Sequence, residues 1–194
     1  IAAAVDAAHR QGIVHRDLKP GNILFAGGLA KVADFGLARM LESDDPGLTG
    51  GHAIGSPFYM SPEQCQGRPA GTASDVYSLG VIAYTLLTGE VPFRRGTAQE
   101  VLLAHLTEEP RPPQALAPSL GAPLSRAVLR ALAKNPQARP ATAGDLHAAL
   151  VQALAETTLE SPVPQLSATG ARSDHSGRSE RAGHPGTARL RRAM

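Results

Sequence analysis

The 194-residue sequence is poor in several residue types that mark particular classes of protein. It has one cysteine, Cys65, and no tryptophan, and aromatic residues make up only 4% of the chain. A single cysteine excludes a disulfide within the chain and favours a reducing compartment, so we expect a cytoplasmic location. The best apolar stretch, residues 76–87, is too short to cross a bilayer, so we expect no membrane span.

The net charge is also small: the chain has 19 lysines and arginines and 17 aspartates and glutamates, which gives a net charge of +2. Basic residues concentrate toward the C-terminal end, which makes the rest of the chain nearly neutral. We therefore expect no nucleic-acid partner. Hydrophobic residues reach 42%, enough for a sizeable core, and with so few aromatics that core must consist mainly of Leu, Val, Ile and Ala.

The hydrophobic pattern predicts a mainly α-helical fold with one small β-hairpin. Short apolar runs at residues 23–25 and 29–32 flank a glycine-rich turn and are typical of two paired strands. Residues 34–61 lack hydrophobic periodicity, which predicts a long irregular segment. Helical spacing predicts the remaining elements, at residues 1–11, 73–88, 101–103, 124–132 and 142–154. We expect residues 155–194, rich in Ser, Gly, Pro and Arg, to form a disordered tail.

Three motifs occur in order along the first third of the chain. Residues 15–22 read HRDLKPGN, residues 34–36 read DFG, and residues 55–63 read GSPFYMSPE. The first is similar to the catalytic loop of protein kinases, and the other two resemble the start and end of a kinase activation segment. On these motifs, the chain resembles the eukaryotic-type protein serine/threonine kinase family, and its composition is similar to that of bacterial members. Residues 1–154 would form the partial kinase domain, the large C-terminal lobe with its hairpin at the catalytic cleft.

The resemblance implies phosphoryl transfer from ATP, with Mg²⁺, to serine or threonine hydroxyls of protein substrates. Asp17 would orient the acceptor hydroxyl and take its proton, while Asn22 and Asp34 would supply hard oxygen ligands to Mg²⁺. Lys19 would place a positive charge beside the transferring phosphoryl group and the ATP phosphates. A lysine two positions after the catalytic aspartate is also similar to serine/threonine kinases rather than tyrosine kinases.

A regulatory role is implied for Arg16, which directly precedes the catalytic aspartate. In the family, such an arginine pairs with a phosphorylated residue of the activation segment and thereby orders it. The candidates in this sequence are Ser43 and Thr49, with Thr49 better placed. The alternative is that both are ordinary loop hydroxyls.

Three further residues have structural roles by the same resemblance. Glu63 is expected to form a buried ion pair with Arg139. Asp75 is expected to accept backbone N–H bonds from the catalytic loop; a plain helix N-cap is the alternative role, and both roles could hold together.

The sequence does not contain the small N-terminal lobe that grips ATP in this family. There is no G-x-G-x-x-G motif, and none of the three lysines, Lys19, Lys31 and Lys134, stands where the ATP-anchoring lysine would. We therefore expect the chain alone to be inactive or nearly so. Two interpretations remain: part of a working serine/threonine kinase, or a non-catalytic interaction module built on a kinase lobe.

Overall fold

Over the described residues the backbone is mainly helical with one two-stranded antiparallel sheet, which confirms the predicted mainly α-helical pattern with a small hairpin. A computed structural model describes residues 1–35 and 57–160, with side chains described as far as residue 157. The strands are β1 (Ile23–Ala26) and β2 (Leu29–Val32). The helices are α1 (Ala2–Arg10), α2 (Pro62–Cys65), α3 (Thr72–Thr88), α4 (Ala98–Thr107), α5 (Pro113–Leu116), α6 (Gly121–Ala131) and α7 (Ala143–Glu160).

Helix α3 forms the centre of the core because it is apolar on nearly all sides. One face packs with Val5 of α1 and Leu146 of α7. The opposite face, which includes Tyr77 and Tyr84, packs with Val128 of α6. A helix buried in this way is a rigid base for whatever its N-terminal end holds, and that end carries Asp75.

Gly80 allows α3 and α6 to approach each other closely. A Cβ added at Gly80 would lie 2.8 Å from Cβ of Ala131 and 3.3 Å from Cδ2 of Leu132. We therefore expect Gly80→Ala to destabilise the chain by about 1–3 kcal/mol through overpacking, although alanine is the better helix former.

Urea unfolding of Gly80→Ala checks this, with Gly96→Ala as the control. A Cβ at Gly96 would meet only the flexible Glu100 side chain, at 3.5 Å. Equal changes in the two variants would contradict the close-packing explanation.

The hairpin turn has the geometry that a two-glycine loop permits. Gly27 and Gly28 both have positive φ, at 60° and 77°, as a type I′ turn requires. The register pairs Ile23 with Val32 at the open end of the hairpin. That pairing continues by one more bond, since Ala33 N–H donates to Asn22 O at 2.8 Å. The open end therefore brings residue 22 next to residues 33 and 34.

Helix α7 continues to Glu160, six residues beyond the boundary predicted at residue 154. Three hydrogen bonds explain the extension. The Thr157 hydroxyl lies 3.2 Å from Leu120 O and 2.8 Å from Ala153 O, and Gln152 donates to Glu156 one turn away. The first residues of the predicted tail are thus helical. Within the described residues, no helix has the length and apolar character that crossing a membrane requires.

Candidate active site

The side chains of Asp17, Lys19 and Asn22 meet in the loop between α1 and β1. Lys19 Nζ donates to Asp17 Oδ2 at 2.6 Å. The Asn22 amide Nδ2 donates to the Asp17 main-chain oxygen at 2.8 Å and to Oδ2 at 3.3 Å. None of the described residues bonds Asp17 Oδ1, and the Asp17 side chain is 38% exposed. One carboxylate oxygen is therefore fixed, and the other is left for a group that enters from solvent.

The loop backbone is held in a strained shape by Asp75. Arg16 has a φ of 71°, in the left-handed region that non-glycine residues rarely adopt. The Asp75 carboxylate accepts from the N–H groups of His15 and Arg16, each at 2.8 Å. Asp75 is 1% exposed, so the rigid α3 fixes the residues that precede Asp17.

The expected contact of Asp75 with the catalytic loop is present, and its alternative role as N-cap is wrong. The N-cap of α3 is Gly71, whose N–H donates to the Ser74 hydroxyl at 3.1 Å. Asp75 lies one turn further along, with its carboxylate directed at the loop.

His9 also contacts Asp75, and it was not among the site residues predicted from the sequence. Its Nε2 lies 2.8 Å from Asp75 Oδ2, and its side chain is 7% exposed. The available signal was weak: a histidine six positions before His15 indicates no chemistry by itself. Only the fold shows that α1 and α3 bring the two side chains together.

Asp34 lies across the hairpin from Asn22. The ladder bond between Ala33 and Asn22 places the two candidate Mg²⁺ ligands at the same edge. His15 supports this edge: its Nε2 lies 2.8 Å from Ala33 O, so Nε2 carries the proton, and its ring packs edge-on to Phe35 at 4.9 Å.

The donor set suits a hard cation. Asn22 uses its Nδ2 group on Asp17, so the amide oxygen remains to accept. Asp34 is exposed and has a φ of 60°. Amide and carboxylate oxygens are ligands that Mg²⁺ accepts together with phosphate oxygens. The two residues therefore fit the predicted metal role.

The expected ion pair between Glu63 and Arg139 is present and is bidentate. Arg139 Nη1 and Nη2 donate to the two Glu63 oxygens at 2.8 and 2.9 Å. The other guanidinium hydrogens go to main-chain oxygens of Ala73, Ala133 and Lys134. Burial alone would raise the pKa of Glu63, but hydrogen bonds from Arg139 and a neighbouring serine outweigh it and lower the pKa to about 2.

A second contact joins α2 to the catalytic loop. Gln64 Nε2 donates to Arg16 O at 2.6 Å, while its Oε1 accepts from the N–H of Ser61 at 3.1 Å. Neither role of Gln64 could be predicted from the sequence, because a glutamine after a helix start is common. Ser43, Thr49 and Gly36 of the DFG motif lie outside the described residues.

The relatives of this chain are protein kinases, which is consistent with the geometry of the catalytic loop. Residues 1–151 match the protein kinase domain family. Serine/threonine-protein kinase Pkn1 of Myxococcus xanthus is 44% identical over 161 residues, 80% of this chain and 23% of Pkn1. PknB of Mycobacterium tuberculosis is 44% identical over 151 residues, and PkaA of Streptomyces coelicolor 46% over 145. The chain spans about a quarter of the length of these relatives. With this match over most of its length and the catalytic-loop geometry, the chain belongs to the protein kinase family.

Proposed function

We propose that this chain is the large, catalytic lobe of a protein serine/threonine kinase that phosphorylates serine or threonine hydroxyls of proteins. The observation that carries the proposal is the arrangement at Asp17. One carboxylate oxygen is held by Lys19 and Asn22, and the other accepts no bond from a described residue. The catalytic carboxylate is thereby oriented before substrate arrives.

Each residue of the site has a separate role in phosphoryl transfer. Asp17 accepts a hydrogen bond from the incoming hydroxyl through Oδ1, aligns it and takes its proton. Lys19 keeps the carboxylate oriented and provides positive charge next to the phosphoryl position. The family generally uses ATP and Mg²⁺, which would supply the phosphoryl group and neutralise its charge; Asn22 and Asp34 would hold the metal.

Arg16 is proposed to link this site to regulation. Its backbone is held by both Asp75 and Gln64, and it directly precedes Asp17 in the catalytic loop. Phosphorylation of Thr49, or of Ser43, would give Arg16 an anionic partner. Glu63, Arg139 and Asp75 then act as supports of the catalytic loop and not as contacts to substrate.

ATP binding by the 194 residues alone should be weak. The chain has no glycine-rich phosphate loop, and none of its three lysines stands where the ATP-anchoring lysine would. An apolar cleft lies beside the hairpin and is consistent with a surface that a second lobe would cover. Its lining includes Ile1, Ile23, Phe25, Ile82 and Leu86. Phe25 is 78% exposed there, which is unusual for so large an apolar side chain.

The experiment compares two proteins: the 194-residue chain, and the same chain joined at Ile1 to the segment that precedes the matching region in PknB. Each is incubated with Mg²⁺ and γ-labelled ATP, and the labelled residues of a mixed protein substrate are identified. We expect background transfer from the chain alone. The joined protein should label serine and threonine but not tyrosine.

Binding of a fluorescent ATP analogue shows whether the joined protein has formed its nucleotide pocket. A joined protein that binds the analogue but transfers no phosphate would contradict the proposal and favour the non-catalytic interaction module. Strong transfer from the isolated chain would contradict the expected dependence on the small lobe.

A further inference from the structure

His9 is a nearly buried polar side chain that has no part in the chemistry proposed above. It lies near the end of α1, four residues after Val5, so the two side chains are on the same side of the helix. Val5 packs in the core with α3, and His9 directs its Nε2 atom at Asp75 Oδ2 over 2.8 Å. Because a carboxylate only accepts, Nε2 carries the proton. The ring therefore donates to the residue that holds the catalytic loop.

The other ring nitrogen of His9 indicates why a histidine stands at this position. Nδ1 is buried and has no hydrogen-bond partner among the described residues. A buried polar atom without a partner costs free energy, which an apolar side chain of similar size would avoid. The bond to Asp75 is what a histidine supplies here and a leucine would not.

The end of α1 brings the catalytic loop back to the same carboxylate. Gly12 has a φ of 73°, and its N–H donates to His9 O at 2.9 Å, so the helix stops with a glycine in the left-handed conformation. Three residues further on, the His15 N–H reaches Asp75 Oδ2 at 2.8 Å. This is the oxygen that also accepts from the His9 ring. A side-chain donor and a backbone donor therefore share one acceptor atom.

Three donors hold the Asp75 carboxylate in one orientation. Oδ2 accepts from His9 and His15, and Oδ1 accepts from the N–H of Arg16, each at 2.8 Å. In that orientation Asp75 supports Arg16 at a φ of 71°, a conformation that persists only where its surroundings hold it. Because Arg16 directly precedes Asp17, the orientation of Asp75 affects the direction in which the Asp17 side chain leaves the loop.

We propose that His9 is a positioning residue for phosphoryl transfer and acts through Asp75 on the catalytic loop. Its Nε2–H bond fixes the Asp75 carboxylate, which holds the loop backbone so that Asp17 faces the acceptor hydroxyl. The inference rests on the proposed kinase function and deepens it. Loss of the bond should slow transfer without weakening nucleotide binding, because neither His9 nor Asp75 is a proposed metal ligand.

The first test compares His9→Leu and His9→Gln in the joined protein, with kcat and KM for ATP measured for each. Leucine keeps the apolar volume but cannot donate, whereas the glutamine amide can place an N–H near the position of Nε2. We expect His9→Leu to lower kcat about tenfold, as the loss of a hydrogen bond to a charged group does, with KM within about twofold of wild type. His9→Gln should restore kcat to within about threefold. His147→Leu, at an exposed histidine of α7, is the matched control and should behave as wild type.

Amide hydrogen exchange, followed by NMR on the 194-residue chain, measures the loop itself and needs no phosphoryl transfer. In His9→Leu the N–H groups of His15 and Arg16 should exchange about tenfold faster, while the N–H of buried Leu146 keeps its rate. Equal acceleration at Leu146 would indicate a general loss of stability and would overturn the inference.

Three other results would also overturn it: unchanged exchange at His15 and Arg16, an unchanged kcat in His9→Leu, or a kcat in His9→Gln as low as in His9→Leu. A wild-type joined protein that transfers no phosphate would instead contradict the proposed function. The exchange rates would then still decide whether His9 holds the loop.

Discussion

Replacing Arg139 with Met is expected to lower the free energy of unfolding by about 3–5 kcal/mol. The Arg139 side chain is fully buried and donates to both oxygens of Glu63 and to three main-chain oxygens. Without it, the Glu63 carboxylate stays buried without the guanidinium that neutralises it, although the Ser74 hydroxyl still donates to it. An uncompensated buried charge is among the largest single penalties that a substitution can introduce.

Urea unfolding of Arg139→Met, Glu63→Gln and the double variant separates the charge from the packing. The double variant should be more stable than the sum of the two single losses predicts, because it leaves no lone carboxylate. Arg126→Met is the control and should change stability by less than about 0.5 kcal/mol. Strict additivity of the two single changes would contradict the ion-pair account.

The same pair predicts how stability depends on pH. The pKa of Glu63 is lowered in the folded chain to about 2, from an ordinary value of 4.5. A carboxylate with a lowered folded pKa stabilises above its unfolded pKa, and the stabilisation is lost as the pH falls through the window from about 4.5 to about 2. Glu63→Gln should therefore remove part of the loss of stability seen in wild type over that window.

Much of the fold could be predicted from the sequence because its signals are local. A Gly-Gly turn between apolar runs specifies a hairpin, and the apolar residues of α3 specify a buried helix. The C-terminal end of α7 could not be predicted in this way. That end depends on the contact of Thr157 with Leu120, which are 37 positions apart in the chain.

The site shows the same division between local and distant signals. Asp17, Lys19 and Asn22 stand within six residues of one another, so a motif can identify them. His9 and Gln64 act through contacts that span 66 and 48 positions, and no pattern in a single sequence marks them.

Replacing Asp17 with Asn is expected to lower the rate of phosphoryl transfer by about 10²–10⁴-fold in the joined protein described above. Asparagine can still accept a hydrogen bond from the substrate hydroxyl, but it cannot take the proton. ATP affinity should change little, because Asp17 bonds Lys19 and Asn22 and is not one of the proposed metal ligands. Glu90→Gln, an exposed change of the same kind beyond the end of α3, is the matched control.

The most direct measurement is therefore labelled phosphate transfer by wild type, Asp17→Asn and Glu90→Gln, with binding of the ATP analogue recorded on the same samples. The account predicts full nucleotide binding in all three, activity in wild type and Glu90→Gln, and a loss of at least about a hundredfold in Asp17→Asn. Transfer by Asp17→Asn within about twofold of wild type would show that Asp17 is not the catalytic base, and the assignment of the site would be wrong.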